Sequence, residues 1–317
     1  MIDSVMGTSV AEYKGNRTDV DSPTITPVVN ISNTENESSE SLCPFTEGNI
    51  CKKIKSGYEP VCSVRKADGT LWLNCSERLC ATKKDIPLCS YQKKMLFNIA
   101  RYLFSPGISP EDVCVKREER LSVIEGTNYN ADYIITLRDG RSSYSGPDRL
   151  ILEMQGGGET SNTGTQTAHI KMWRNNPHRT NELLRAETRA STLETNAWRR
   201  QQEQFIVKGN IAMKTWKGYG IAFCVGTLLF DYLMEKLSTS NLPDLRNYNW
   251  TLALIGIKED TSIRKAPGPI PLVVDESRLL YTNYQTFVQA LINQGNPSLE
   301  AFRGEFISLN NQTVQIP

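Results

Sequence analysis

The stretch Arg149-Leu150-Ile151-Leu152-Glu153-Met154-Gln155 sets the fold class of this chain. It is short, dominated by large aliphatic side chains and bounded by Gly and Ser, the composition of a strand buried inside a sheet. One carboxylate sits in its middle, and an acid buried in such a run needs a partner or a metal. Side chains alternate along a strand, so Glu153 and Gln155 are expected on one face, while Met154 points away and offers only its main-chain carbonyl. Asp132 lies 21 residues earlier, at the start of a second apolar run from Asp132 to Leu137. A hairpin between the two runs would bring the carboxylates side by side. A third run, Arg120 to Ile124, follows Glu118 and Glu119. Alternation counted from Leu121 favours Glu118 as the acid facing Asp132, with Glu119 as the alternative. On the other side, residues 156–168 are a Gly, Thr, Ser and Asn loop with no core to bury. The competing reading places Glu153 on an edge strand, in an ordinary salt bridge to Arg149 or Arg141.

Further out, residues 91–104 place apolar side chains at helical spacing until Pro106 and Pro110 stop the pattern. A helical pattern runs from about Glu182 through Trp216. Ile221 to Leu237 begins as a buried strand and ends as a helix, Trp250 to Ile257 reads as a strand, and so does Pro271 to Val274. An amphipathic helix is expected near Tyr284 to Gln294. A sheet flanked by helices over residues 91–317 makes the class α/β. Residues 1–42 are rich in Ser, Thr, Asn and acids without an apolar period, and are expected to be disordered or loosely ordered. Residues 43–90 are charged, Gly-punctuated and too poor in apolar side chains for a core of their own, so a metal staple is expected there.

The formal net charge is +1, but the charges are unevenly spread. Residues 43–100 carry ten Lys and Arg against five Asp and Glu, residues 165–217 ten against four, and residues 101–164 seven against ten. Two basic blocks around an acidic segment suit an enzyme that meets phosphates with Lys and Arg and a metal with carboxylates; two solvated basic faces would give the same distribution. No run of roughly 18 apolar residues is present, so no membrane span is expected. The N-terminus lacks the basic-then-apolar layout of a secretory signal, from which a cytoplasmic protein is expected.

Hydrolysis of a phosphodiester calls for a divalent cation held by oxygen ligands with open positions, so Mg²⁺ is expected between Asp132 and Glu153. An Asp on one strand, with an acid and a polar residue two positions on in the next, resembles the centre of the PD-(D/E)XK nucleases, Gln155 standing where that motif commonly has Lys. The resemblance implies a nuclease core, a central mixed sheet flanked by helices, with Asp132, Glu153, Gln155 and Glu118 as its catalytic set. Pro147-Asp148 matches the motif's letters but lies too close to Glu153 for a hairpin to intervene.

Six of the eight cysteines fall between Cys43 and Cys89, and in a reducing compartment such a cluster reads as a metal site before it reads as disulfides. The spacing Cys43-x7-Cys51-x10-Cys62-x12-Cys75 offers four thiolates without a histidine, suited to Zn²⁺ or a single iron. Cys80 and Cys89 are spare candidates, and buried free thiols are the plain alternative. The segments Cys43-Pro44-Phe45, Cys51-Lys52-Lys53, Val61-Cys62-Ser63-Val64 and Trp72-Leu73-Asn74-Cys75, followed by Asp132 and Glu153-Met154-Gln155, resemble the NotI family of type II restriction endonucleases. The resemblance runs from Cys43 to about Asp260 and continues through Arg200-x3-Gln204-x3-Lys208, residues that share one helix face. It implies Mg²⁺-dependent, sequence-specific cleavage of double-stranded DNA. It further implies a structural iron at Cys43, Cys51, Cys62 and Cys75, and a stripe of Arg200, Gln204 and Lys208 that meets phosphate or the metal site. Ser76 stands where that family commonly has Pro, which keeps Cys80 open as a substitute ligand, and zinc stays open beside iron.

Side chains able to read base edges are frequent in the 156–168 loop and in Trp173-Arg174-Asn175-Asn176, so Arg174 is expected at the DNA. The only histidines, His169 and His178, lie in the same stretch. A symmetric cut needs two centres related by a two-fold axis, so a homodimer is expected. Two other classes remain: a metal-stapled DNA-binding protein without catalysis, in which Glu153 pairs with an arginine, and a repair or homing nuclease that shares only the centre.

Overall fold

The apolar runs pair into one six-stranded mixed sheet. The computed structural model describes residues 87–122, 128–139, 145–155, 193–215, 219–237, 241–260, 272–293 and 298–317, the short pieces 26–28, 63–65, 71–73 and 77–80, and the single residues Phe45, Lys84, Gly126 and Gly295. Strands β1 (Thr26–Val28), β2 (Ser63–Arg65) and β3 (Leu71–Leu73) make a small antiparallel sheet and are followed by helix α1 (Ser90–Leu103). The main sheet has the order β4 (Val113–Leu121), β5 (Tyr129–Leu137), β6 (Arg149–Gln155), β7 (Gly220–Gly226), β8 (Leu252–Glu259), β9 (Leu272–Thr282). Strands β6, β7 and β8 run parallel, and the other neighbours pair antiparallel. Parallel neighbours need a crossover. Helix α2 (Leu193–Lys214) lies in the connection from β6 to β7, and α3 (Thr227–Lys236) in that from β7 to β8. The class is α/β, as the order of patterns predicts.

Strand alternation divides the core into two layers. Leu150, Leu152 and Met154 of β6 join Tyr133, Ile135, Ala222 and Ile255 against Met95, Ile99 and Leu103 of α1. Ile151 joins Ile221, Phe223 and Leu254 on the other face, against Phe205 of α2, Leu229 of α3 and Phe287 of α4 (Tyr284–Ile292). The buried positions of α1, Gln92, Met95, Leu96, Ile99, Ala100 and Leu103, recur at three and four residues and make one apolar stripe. Gln92 Oε1 accepts a hydrogen bond from Cys89 N at 3.0 Å and caps the start of that helix. Among the described residues no helix is long and apolar enough to cross a membrane.

Where the structure differs from the expected elements, polar residues are the cause. The first strand of the sheet spans Val113–Leu121, not Arg120 to Ile124. Its Lys116-Arg117-Glu118-Glu119-Arg120 sequence has no apolar run to find, and it is an edge strand, where charges discourage pairing with other chains. Strand β9 continues past Val274 to Thr282 through Asp275-Glu276-Ser277-Arg278. Asp275 is buried there and accepts from Lys258 Nζ at 2.8 Å and Arg278 Nη1 at 2.6 Å, so a charged stretch stays inside the strand. Residues 26–28, in the segment expected to be disordered or loosely ordered, pair with β2 as an edge strand. A hairpin of β10 (Gly304–Ile307) and β11 (Thr313–Ile316) at the C-terminal end was not expected.

Helix α2 is held to the sheet on both sides of one lysine. Phe205 stacks on Phe223 and Phe287. Gly209 lies directly under the ring of Tyr284, whose hydroxyl donates to the Ile206 carbonyl. A Cβ at position 209 would stand 2.1 Å from that ring. Gly209→Ala is therefore expected to destabilise by about 1–3 kcal/mol despite the gain in helix propensity. Gly107→Ala, whose nearest outside atom is 3.8 Å away, should be close to neutral. Thermal unfolding of both variants checks this; equal midpoints would contradict the packing described.

Candidate active site

Strands β5 and β6 bring Asp132 and Glu153 together. Their register pairs Tyr133 with Leu152, and one step further sets Asp132 opposite Glu153. At that step side chains take over from the main-chain ladder. Met154 N donates to Asp132 Oδ2 at 2.8 Å, and Asp132 N donates to Glu153 Oε1 at 3.3 Å. Helix α2 closes the site: Lys208 Nζ donates to Glu153 Oε2 at 2.7 Å, with Lys208 only 2% and Glu153 6% exposed. Gln155, half-buried at the end of β6, lines one recess with Glu153, Phe205, Phe223 and Val225. Met154 turns into the core on the α1 side.

A buried carboxylate, Glu153, and a half-buried one, Asp132, here face one ammonium. Burial, reinforced by the neighbouring Asp132 charge, pushes the Glu153 carboxyl from its usual 4.5 up to about 7, and Lys208 only partly opposes this. Burial likewise raises the Asp132 carboxyl; the Met154 N–H and Lys208 pull it down, and the Glu118 charge pushes it up again. Such a site has an unmet demand for positive charge. Asp132 and Glu153 supply hard oxygen donors, and no group of three or more His, Cys, Asp or Glu side chains able to hold a metal occurs among the described residues. Two carboxylates that leave the rest of a shell to water and neutral oxygens fit Mg²⁺, which keeps several waters, better than an ion needing four protein ligands.

The remaining expected residues divide into placed and unplaced. Glu118 has φ +42°, accepts from Lys84 N at 3.1 Å, and is the acid whose charge reaches Asp132. Glu119 is salt-bridged to Lys84 and Lys116 at 3.7 and 3.8 Å. Arg149, offered by the competing reading as Glu153's partner, lies over the ring of Tyr219 instead; Arg141 is outside the described residues. Arg200 and Gln204 fall on α2, but their side chains lie outside the described residues, as do Arg174, His169, His178 and the 156–168 loop. Cys43, Cys51, Cys62 and Cys75 are outside them too. Cys80, the substitute ligand, is a free thiol buried in the α1-side core, and burial raises its pKa well above the usual range. Its carbonyl accepts from the Tyr133 hydroxyl.

Lys208 is the residue whose carboxylate partner the sequence did not name. Grouped with Arg200 and Gln204 it reads as part of a stripe that meets phosphate or the metal site; the structure pairs it with Glu153. Its signal was present, since Phe205-Ile206-Val207-Lys208-Gly209 is an apolar run with one charge, the counterpart of the run around Glu153. Compared with protein-family models and with curated proteins, the chain finds no match.

The shift of Glu153 fixes a pH dependence. In protein stripped of divalent cations the folded state holds that proton more tightly than the unfolded chain. The stability it contributes is complete below about pH 4.5 and is lost as pH rises through about 7. The thermal midpoint should fall by several degrees across that window, and Glu153→Gln should flatten the trend. An unchanged slope in the variant would mean that Glu153 is not the group responsible.

Proposed function

We propose that this protein is a Mg²⁺-dependent endonuclease of double-stranded DNA, resembling the NotI-like type II restriction enzymes within the PD-(D/E)XK nucleases. One observation carries the reading: Asp132 and Glu153, from adjacent strands, meet in a site with one ammonium for two carboxylates. Hydrolysis adds water to phosphorus and breaks one P–O ester bond, so that the water oxygen stays on the phosphate and the leaving oxygen takes up a proton. Asp132 and Glu153 would hold the cation, which when bound polarises the phosphate and makes a water more acidic. The Met154 N–H fixes the Asp132 carboxylate, and Lys208 fixes that of Glu153. Gln155, on the face of Glu153, offers an amide to a phosphate oxygen or a water. Glu118 adds a negative charge to the same side. Arg174, Arg200 and Gln204 are proposed as DNA contacts. Two chains, each with one centre, would make the symmetric cut, in a cytoplasmic restriction–modification system.

Incubation with plasmid DNA and Mg²⁺ tests the reading. Discrete fragments are expected, and Asp132→Ala or Glu153→Ala should reduce cleavage by at least about a thousandfold while DNA binding persists, because the phosphate contacts survive loss of the cation. Intact DNA from wild type under all divalent cations would favour the non-catalytic DNA-binding alternative. Nicks or a smear would favour a repair or homing nuclease.

The cysteine segment is proposed as a second, structural centre, with iron, or zinc in its place, at Cys43, Cys51, Cys62 and Cys75. Four thiolates leave no open position, so this site would fold its segment and take no part in cleavage. Elemental analysis of purified protein should find one iron per chain, and Cys62→Ser should lose it. Zinc at the same stoichiometry would keep the site and change the metal; no metal at all would remove it.

A further inference from the structure

We propose that the centre takes a single divalent cation per chain and that Lys208, a positioning residue, stands in for a second positive charge; this rests on the nuclease reading above. The oxygens of the two carboxylates are already partly committed. Asp132 Oδ2 is held by Met154 N at 2.8 Å and Glu153 Oε2 by the Lys208 ammonium at 2.7 Å. Among the described residues, one oxygen remains on each side chain. Glu153 Oε1 has only the longer contact of 3.3 Å to Asp132 N, and Asp132 Oδ1 has no hydrogen bond among the described residues. Two oxygens from two side chains are a ligand set for one cation that completes its shell with water. A second cation on Glu153 would have to displace the ammonium from Oε2, or sit beside it as a like charge.

The Lys208 ammonium already brings positive charge to the pair. Nor is the lysine free to withdraw, because Phe205 and Gly209 on either side of it are packed against Phe223, Phe287 and Tyr284. Lys208 contributes charge and the orientation of Glu153.

Counting Mn²⁺ bound to the whole protein tests this, by calorimetry together with the electron paramagnetic resonance of free Mn²⁺. The centre's share is the difference between wild type and Asp132→Asn. The expected difference is one ion per chain. Lys208→Met, nearly equal in shape, should take up a second ion and lose at least about a hundredfold in Mg²⁺-dependent plasmid cleavage. Lys208→Arg, which keeps the charge, should bind one ion and recover at least part of the cleavage. Two ions at the wild-type centre would overturn the proposal. So would a Lys208→Met variant that still binds one ion at unchanged affinity, or that cuts within about threefold of wild type. If Lys208→Met fails to fold, Lys208→Gln and the wild-type count decide. A wild type that cuts DNA but holds two ions defeats this proposal alone; one that neither cuts nor binds Mn²⁺ defeats the nuclease reading as well.

Discussion

An ammonium and a carboxylate, both withdrawn from water, tie the long helix of this protein to the middle of its sheet. Removing one partner of such a pair leaves a buried uncompensated charge and commonly costs about 3–5 kcal/mol, so Lys208 and Glu153 constrain everything packed around them. The pair nonetheless adds little that an apolar contact of the same volume would not, since replacing a buried ion pair with well-packed hydrophobic residues is often neutral or stabilising. A third charge, Asp132, lies within hydrogen-bond reach of the same carboxylate's strand and makes the arrangement less favourable still. Groups arranged against stability in this way are characteristic of sites that do chemistry.

The fold serves that arrangement directly. Glu153 and Gln155 stand at the C-terminal end of β6, the first of three parallel strands, where open α/β sheets place their ligand sites. The antiparallel strand β5 brings Asp132 in from the other side, and the crossover helix α2 lays Lys208 across the pair. Each of the three charged groups thus comes from a different kind of connection, a hairpin, a parallel strand and a crossover. Neither Asp132 nor Glu153 could be moved by one residue without turning its side chain to the other face, and the same shift would carry Lys208 about 100° around its helix.

How far the sequence could be read depended on contrast. Glu153 stood out because four aliphatic or sulfur-bearing neighbours, Leu150, Ile151, Leu152 and Met154, surround it, and the same contrast marked β7 and β8, whose residues are buried almost throughout. The approach of Asp132 to Glu153 followed from strand alternation and one hairpin, both local rules. Long-range choices were less visible. The apolar run around Lys208 marks it as a buried charge but does not say whether it meets phosphate or a carboxylate, because that depends on how α2 is rotated about its axis. The packing of Gly209 under Tyr284, 75 residues further along, sets that rotation. Edge strand β4 and the polar middle of β9 escaped for the opposite reason: their charges are satisfied within the sheet or by solvent and leave no apolar period to detect.

The most direct measurement of whether the Asp132–Glu153 pair is a cation centre is anomalous diffraction from crystals soaked in Mn²⁺. The expected result is one peak between the two carboxylates, within about 2.0–2.6 Å of an oxygen from each, with Lys208 still bonded to the other oxygen of Glu153. A well-ordered pair with no peak beside it at saturating Mn²⁺, or a peak only elsewhere in the molecule, would contradict that assignment.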